Sequence, residues 1–167
     1  MGAAGAVLDL AKKIRAPVVT TFRAKGILPD ENEWVAGIHG PLGTPHARTL
    51  VGESDLVIAC GASFSDFTGI PGDKPVVHID IDPIQLGKHP FVAAVWGDCA
   101  IALPRILELV RPREDPAVGQ WLMERRREWS LQLDREADPE AVPIRPPYIM
   151  KVLSETLPGL QRGHETR

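Results

Sequence analysis

The sequence has only two cysteines and no long apolar run. Cys60 and Cys99 do not form a CxxC motif, and no other cysteine or histidine lies at metal-ligand spacing from them. The apolar runs are too short to cross a bilayer, and the first residues lack the basic segment of a signal peptide. We therefore expect a cytoplasmic protein with two buried free thiols, and neither a membrane span nor a structural metal site.

The charge balance excludes another class of partner. The net charge is −3 and the isoelectric point is near 5.9, so no basic field attracts nucleic acid or anionic lipid. The one basic run, Arg125–Arg127, lies between Glu124 and Glu128, which is typical of a solvated helix face. With 44% hydrophobic residues in 167, the chain has enough apolar surface for one compact domain with appendages.

The apolar runs predict an α/β fold. They are rich in β-branched residues and do not alternate with polar residues, which is typical of strands covered on both faces in a parallel sheet. Helical patterns separate them, so we predict a Rossmann-like doubly wound parallel sheet in three α/β/α layers. The four predicted strands are Pro17–Phe22, Asp55–Cys60, Pro75–Asp80 and Phe91–Trp96.

Helix signals lie between and after these strands. We predict helices at Val7–Ile14 and Thr44–Val51, and one capped by Asp98 that has a kink or a late start at Pro104. Beyond Arg111 the pattern changes. It predicts a long helix over 116–136, an extended proline-rich stretch over 139–147, a short helix over 148–157 that ends at Pro158-Gly159, and a disordered tail.

Two glycine-rich loops are candidate ligand sites. In Gly37–Gly43, glycines allow close backbone approach, and the helix that follows has free amides that suit a phosphate; a tight ligand-free connection explains the loop equally well. His39 lacks the partners of a catalytic triad, so we interpret it as facing a ligand or solvent. The second loop, Gly61–Asp66, follows a strand at the edge where doubly wound sheets bind ligands, but it is not a GxGxxG motif.

Acidic residues end the last two strands. Asp80 is placed to accept hydrogen bonds from ribose hydroxyls, whereas Asp82 and Asp98 suit helix N-caps. Paired catalysis by Asp80 and Asp82 is not expected, because neighbouring strand residues point to opposite faces.

Taken together, these segments indicate a protein family far more specifically than any one of them does. In order and spacing, the chain from residue 3 to about 110 resembles the central domain of the acetolactate synthase and pyruvate oxidase family of thiamine diphosphate-dependent enzymes. The matching segments are Val18–Gly26 with Leu28-Pro29, Gly37–Gly40 with Gly43–Pro45, Ser54–Ala62, His78–Pro83 and Gly97-Asp98.

The resemblance implies domain boundaries as well. Residues 1–110 would be the central nucleotide-binding-type domain, and 111–145 a helical linker. Residues 146–158 would be the first helix of a truncated diphosphate-binding domain, and 159–167 a disordered tail.

In family members that carry FAD, the central domain holds its ADP part. The resemblance therefore implies a site for the ADP part of FAD, or for ADP, although other members bind nothing here. Ser63 and Phe67 stand where the synthases usually have arginines, which removes two bidentate phosphate donors. The implied cofactor-binding residues are Thr21, Phe22, Gly37, Ile38, His39, Gly40, Gly61, Ala62, Ser63, Asp80 and Asp98.

The family's catalytic glutamate and its magnesium and diphosphate motif lie in flanking domains that this sequence does not contain. Thiamine diphosphate and Mg²⁺ are therefore implied for the intact parent, and we expect no catalytic residue in this chain. The expected domain also lacks the family's first strand, which predicts exposed strand edges and a homo-oligomer. Two other hypotheses are a free-standing sirtuin-like NAD-utilising enzyme and a remnant that acts only by association.

Overall fold

A computed structural model describes residues 3–88 and 92–157, and it has the predicted α/β architecture. Its chain contacts divide it into two compact units, 1–123 and 124–167, so that the long fourth helix runs across the division. The helices are α1 Ala3–Ile14, α2 Pro45–Glu53, α3 Cys99–Leu109, α4 Pro116–Glu136 and α5 Pro146–Thr156. The strands are β1 Val18–Thr20, β2 Val35–Ile38, β3 Val57–Cys60, β4 Val76–Asp80 and β5 Ala93–Trp96.

The five strands form two sheets, and all their pairings are parallel. One sheet has the order β1-β2, and the other has the order β3-β4-β5. The chain passes from the first sheet to the second through α2, and helices connect or flank the strands throughout the first unit. This arrangement is that of a Rossmann-like three-layer α/β/α fold with its strands divided between two sheets.

The core of the larger sheet lies under α1 and α3. Ile79 of β4 and Leu103 of α3 are fully buried, and they pack with Ala6 and Leu10 of α1. Lys13 at the end of α1 donates from Nζ to the Leu107 carbonyl oxygen at 2.7 Å, which satisfies an orphan carbonyl near the C-terminus of α3. The two helices therefore pack as a pair over β4.

Strand β2 was not among the four predicted strands. Val18 pairs with Val35 but Thr20 pairs with Ile38, so β2 contains one more residue than β1 over the same length. Such a bulge favours glycine in the left-handed region, and Gly37 has φ 97°. Sequence reasoning placed Gly37 and Ile38 in a loop because a short strand interrupted by glycine has little β-propensity.

The loop that follows β2 packs tightly on itself. A Cβ added at Gly43 would overlap the Ile38 carbonyl oxygen, and one added at Gly40 would overlap the Phe67 carbonyl oxygen. Gly43 donates its N–H to the Gly40 carbonyl at 3.0 Å, and the Thr44 N–H donates to Ile38 at 2.9 Å. The glycines of this loop are therefore required by backbone packing.

The predicted ends of several elements differ from the observed ones. Helix α3 begins at Cys99, so a late start at Pro104 is wrong; the Asp98 carboxylate accepts from the Ala100 N–H at 2.8 Å and fixes the start. The first predicted strand is also too long, because Phe22 belongs to a 3₁₀ turn over Phe22–Ala24. The start of the last strand at Phe91 and the tail after Leu157 lie outside the described residues.

The second unit contains the end of α4 and all of α5. Lys151 Nζ lies 2.9 Å from the Asp134 carboxylate, and this ion pair raises the pKa of Lys151. Both groups are exposed, so the pair contributes little to stability. Among residues 3–88 and 92–157, no helix combines the length and apolar composition that a membrane span requires.

The packing of the core predicts that two leucines of α3 contribute differently to the free energy of unfolding. Leu103→Ala is expected to lower the free energy of unfolding by about 2–5 kcal/mol, because it leaves a cavity beneath the α1–α3 pair. Leu109→Ala removes a side chain that is 84% exposed and should change it by no more than about 0.5 kcal/mol. Urea unfolding of both variants measures the difference; equal effects would contradict the packing.

The packing of the glycine loop predicts that alanine substitutions at Gly43 and Gly52 change the stability in opposite directions. Gly43→Ala should destabilise the protein by about 1–3 kcal/mol, since the new Cβ displaces the Ile38 carbonyl. Gly52→Ala is the control: Gly52 lies in α2 with no atom within 4 Å of an added Cβ, and alanine there should stabilise by about 0.5–1 kcal/mol. Thermal unfolding of both variants checks this, and a stable Gly43→Ala would show that the loop has room to relax.

Candidate functional site

A cavity of about 250 Å³ lies between the two sheets in the first unit. Its walls include all of β1 and β3 and the first turns of α1. The residues that directly follow these strands, Thr21 and Gly61, line the same cavity, so it extends to the carboxyl ends of both strands. In doubly wound sheets, ligands bind at this edge, where successive strands diverge to either side.

Four of the predicted cofactor-binding residues line this cavity: Thr21, His39, Gly61 and Ala62. They come from the ends of three different strands, as expected for a site at the carboxyl edge. Gly61 has φ 61°, and no atom lies within 4 Å of a Cβ added there, so its backbone faces open space. The other seven lie outside the lining: Phe22, Gly37, Ile38, Gly40, Ser63, Asp80 and Asp98.

His39 is 5% exposed, and hydrogen bonds hold both its backbone N–H and its ring. Its N–H donates to the Thr20 carbonyl at 2.8 Å, and its ring Nε2 lies 3.1 Å from the Gly69 carbonyl oxygen. A carbonyl only accepts, so Nε2 carries the proton, and in the neutral ring Nδ1 is then an acceptor. Nδ1 is buried and has no partner in the part of the chain that the structure describes.

The acidic residues at the strand ends accept hydrogen bonds from groups nearby in the chain. Asp80 is 6% exposed, and its Oδ1 accepts from the Asp82 N–H at 2.8 Å, while Oδ2 lies 3.5 Å from Nε2 of His78. Asp98 caps α3. Asp82 accepts from the Ile84 N–H at 3.0 Å, and this bond, with one from Gln85, lowers its pKa. The ribose-binding role of Asp80 stays a prediction, because a carboxylate accepts more than one hydrogen bond.

Both cysteines lie in the cavity wall, at the end of β3 and the start of α3. They are free thiols, but each is only half-buried. Burial, with a smaller contribution from Cys99, raises the pKa of Cys60 to about 12. Burial, followed by the Asp80 carboxylate, raises the pKa of Cys99. Both sulfurs are therefore protonated at neutral pH and are poor nucleophiles.

Sequence reasoning missed the apolar part of the site. The cavity is lined by Val7, Ile27, Leu28 and Ile70 besides the strand residues, and none of the described lysines or arginines lines it. Val7 was assigned to the apolar face of the first helix. The spacing of Ile27, Leu28 and Ile70 did not indicate a cavity. Among residues 3–88 and 92–157, no cluster of three or more His, Cys, Asp or Glu side chains is arranged to hold a metal ion.

Comparison with known proteins gives a consistent result. The family model described as the thiamine pyrophosphate enzyme central domain matches residues 1–106. The chain is 34% identical over 153 residues to the acetolactate synthase large subunit of Pyropia yezoensis, and the match covers 86% of this chain and 26% of that protein. It is 31% identical over 150 residues to YdaP of Bacillus subtilis, whose name describes a thiamine pyrophosphate-containing protein; 89% of this chain and 26% of YdaP are covered.

The chain thus spans about a quarter of the length of these relatives. The family model covers well over half of the chain and coincides with the unit that contains both sheets and the cavity. The chain belongs to the family of thiamine pyrophosphate enzymes, of which it contains the central domain.

Proposed function

We propose that this domain is the adenine-nucleotide-binding scaffold of a thiamine diphosphate-dependent enzyme that acts on 2-oxo acids, of the acetolactate synthase or pyruvate oxidase type. One observation carries the nucleotide part: a cavity that reaches the carboxyl ends of β1 and β3, where Thr21, His39, Gly61 and Ala62 line it. The relatives' names support the enzyme class. Thiamine diphosphate and Mg²⁺ would be held by other parts of the parent enzyme, which supply the chemistry.

The shape of the cavity favours the adenosine end of the ligand. At about 250 Å³ it is smaller than the 300–1,000 Å³ of typical drug-sized sites, so it fits a base or ribose and not a whole dinucleotide. Its lining is mostly apolar, and Gly61 leaves room for a flat group to approach the backbone.

His39 selects for a hydrogen-bond donor. Its Nδ1 is an unsatisfied acceptor, and leaving such an atom buried costs about 1–3 kcal/mol. A ribose hydroxyl or the adenine amino group would satisfy it once the side chains around the buried atom moved to expose it. A phosphate oxygen only accepts and would not.

Phosphate groups would add little to binding. Charge-assisted hydrogen bonds are worth about 1.5–3 kcal/mol each, but no lysine or arginine in the described part of the chain lines the cavity, and Ser63 and Phe67 stand in the second loop. The affinity for adenosine, AMP, ADP and FAD should therefore differ by less than about tenfold, whereas one arginine contact to a phosphate would exceed that.

Nucleotide titration tests this proposal. At about a hundredfold over Kd, adenosine or ADP should add roughly 2.7 kcal/mol of stability, which for this size raises Tm by about 5–10 °C. Gly61→Leu should abolish the shift by filling the open mouth. Gly26→Leu is the matched control, because Gly26 also has positive φ (90°) and open space around it but does not line the cavity. The proposal fails if no adenine compound shifts Tm in the unmodified protein.

The same samples separate the other hypotheses. With thiamine diphosphate, Mg²⁺ and pyruvate, the isolated chain should release no carbon dioxide above background. Protein-dependent release would show that catalysis does not need the flanking domains. Turnover of NAD would favour the sirtuin-like enzyme, and absence of any nucleotide binding would favour a remnant that acts by association.

We further propose that two copies of the chain associate through β5. This strand is the outer edge of its sheet; Ala93 and Ala94 are exposed, and Trp96 is 72% exposed. An apolar strand edge is a template for pairing, and a two-fold axis would join two β5 edges antiparallel.

Light scattering after size exclusion at micromolar concentration should therefore give a dimer. Ala94→Lys should convert it to a monomer by placing like charges across the axis. Ile101→Lys is the control, since it changes another exposed apolar residue, which lies in α3 and not at the strand edge. A monomeric unmodified protein would rule out the β5 interface.

A further inference from the structure

The connection from β3 to β4 contains a segment without a helix or strand, residues 62–71. Thr68 is the one buried residue in this segment. Several of its hydrogen bonds are local: the N–H groups of Thr68 and Gly69 both donate to the Ser65 carbonyl oxygen, at 2.8 and 3.3 Å. A stretch with few buried groups and local bonds opens at a lower free-energy cost than a core strand does. We therefore expect this segment to open more readily than the strands on either side of it.

The same segment forms part of the cavity wall. Three of its residues line the cavity: Ala62, Thr68 and Ile70. His39 lines it from the loop after β2, and its ring Nε2 lies 3.1 Å from the Gly69 carbonyl oxygen, a bond between residues 30 positions apart. The backbone N–H of His39 donates to the Thr20 carbonyl at 2.8 Å, so the backbone that carries this ring is itself held. The His39–Gly69 bond therefore ties the segment to the smaller sheet.

Two packing contacts also hold the segment in place. The Phe64 ring lies edge-on to His78 of β4, with ring centroids 4.6 Å apart. The first glycine-rich loop packs directly against the segment, since a Cβ added at Gly40 would overlap the Phe67 carbonyl oxygen. These contacts and the His39 bond all involve residues 64–69, and together they keep the segment closed over the cavity.

Glycines with open surroundings lie at both ends of the segment. No atom lies within 4 Å of a Cβ added at Gly61 or at Gly72. Glycine allows larger changes of φ and ψ than other residues, and hinges are a few such positions at the ends of a moving element. Rotation at Gly61 and Gly72 would therefore move residues 62–71 without a steric conflict at either hinge.

We propose that residues 62–71 form a hinged lid, which a latch, the His39–Gly69 hydrogen bond, holds closed over the cavity, and which opens to admit an adenine nucleotide. The lid turns on Gly61 and Gly72. Opening exposes the buried Nδ1 of His39, the acceptor to which the ligand would donate. The identity of the ligand rests on the proposed function, whereas the hinges and the latch belong to the ligand-free chain, so the two can be tested separately.

Chymotrypsin cleavage of the full chain tests the latch. This protease cuts after aromatic residues, and Phe67 in the lid and Phe22 outside it are 70% and 65% exposed. The ratio of cleavage at Phe67 to cleavage at Phe22, measured by mass spectrometry of the first products, reports how often the lid opens. His39→Leu removes the donor and should raise this ratio about fivefold. His39→Gln keeps an N–H donor and should leave the ratio near that of the unmodified protein.

A pair of glycine variants tests the hinge. Gly72→Ala restricts the backbone of the open lid, and it meets no atom in the closed one, so it should lower the cleavage ratio about twofold to fivefold. Gly97→Ala is the matched control. Gly97 also has no atom within 4 Å of an added Cβ and no positive φ, but it follows β5, outside the lid. This variant should leave the ratio unchanged.

Stopped-flow mixing with adenosine tests what the lid admits. Gly72→Ala should slow association by the same factor by which it slows cleavage at Phe67, because both events require the open lid. Gly97→Ala should slow neither. If adenosine does not bind the unmodified protein, the proposed function fails, and the cleavage ratios still decide whether the segment is a hinged lid.

Three results would overturn the proposal. An unchanged ratio in both His39→Leu and Gly72→Ala would show that the segment has neither latch nor hinge. An equal rise of cleavage at Phe67 and Phe22 in His39→Leu, with an unchanged ratio in Gly72→Ala, would show that His39 stabilises the whole unit. Slower cleavage without slower association in Gly72→Ala would show that the segment moves but does not control entry to the cavity.

Discussion

The burial of Ile79 beneath the α1–α3 pair is the interaction on which the first unit depends. Ile79 and Leu103 are both fully buried, and α1 supplies Ala6 and Leu10 to the same cluster. Helix α1 leads directly into β1 of the smaller sheet, so a helix anchored on the larger sheet holds the start of the smaller one. The cavity between the sheets is thus bounded by elements that are anchored outside it.

Much of this fold could be predicted from local patterns. The bounds of α4, residues 116–136, follow from a proline at its first position after an aspartate, and from the polar break after it. Strand β4 is a short run dominated by β-branched residues, and its pattern gave nearly the right ends. Strand β2 was not predicted, because it depends on pairing with β1 through a bulge, which is a non-local interaction. In the sequence, Gly37 is the one residue that indicates the bulge.

The candidate site was predictable in position and less so in composition. Strand-end loops indicated Thr21, Gly61 and Ala62 because the carboxyl edge of a parallel sheet is where ligands bind. The sequence predicted that Asp98 caps a helix, and the structure confirms that cap. It did not show that both thiols would line the cavity wall. That outcome depends on where α3 starts relative to β3, which packing decides.

The crowded loop after β2 also bears on how variation among relatives should be interpreted. Gly40 and Gly43 leave no room for a Cβ because carbonyl oxygens of Phe67 and Ile38 occupy that space. Glycine at these two positions is therefore expected in any relative that keeps the loop, whether or not it binds a cofactor. Gly61 is different, since its surroundings are open. Its φ of 61° also favours glycine, so its loss in a relative would report a change of backbone conformation as well as of any ligand, whereas invariance of the other two reports only that the chain folds.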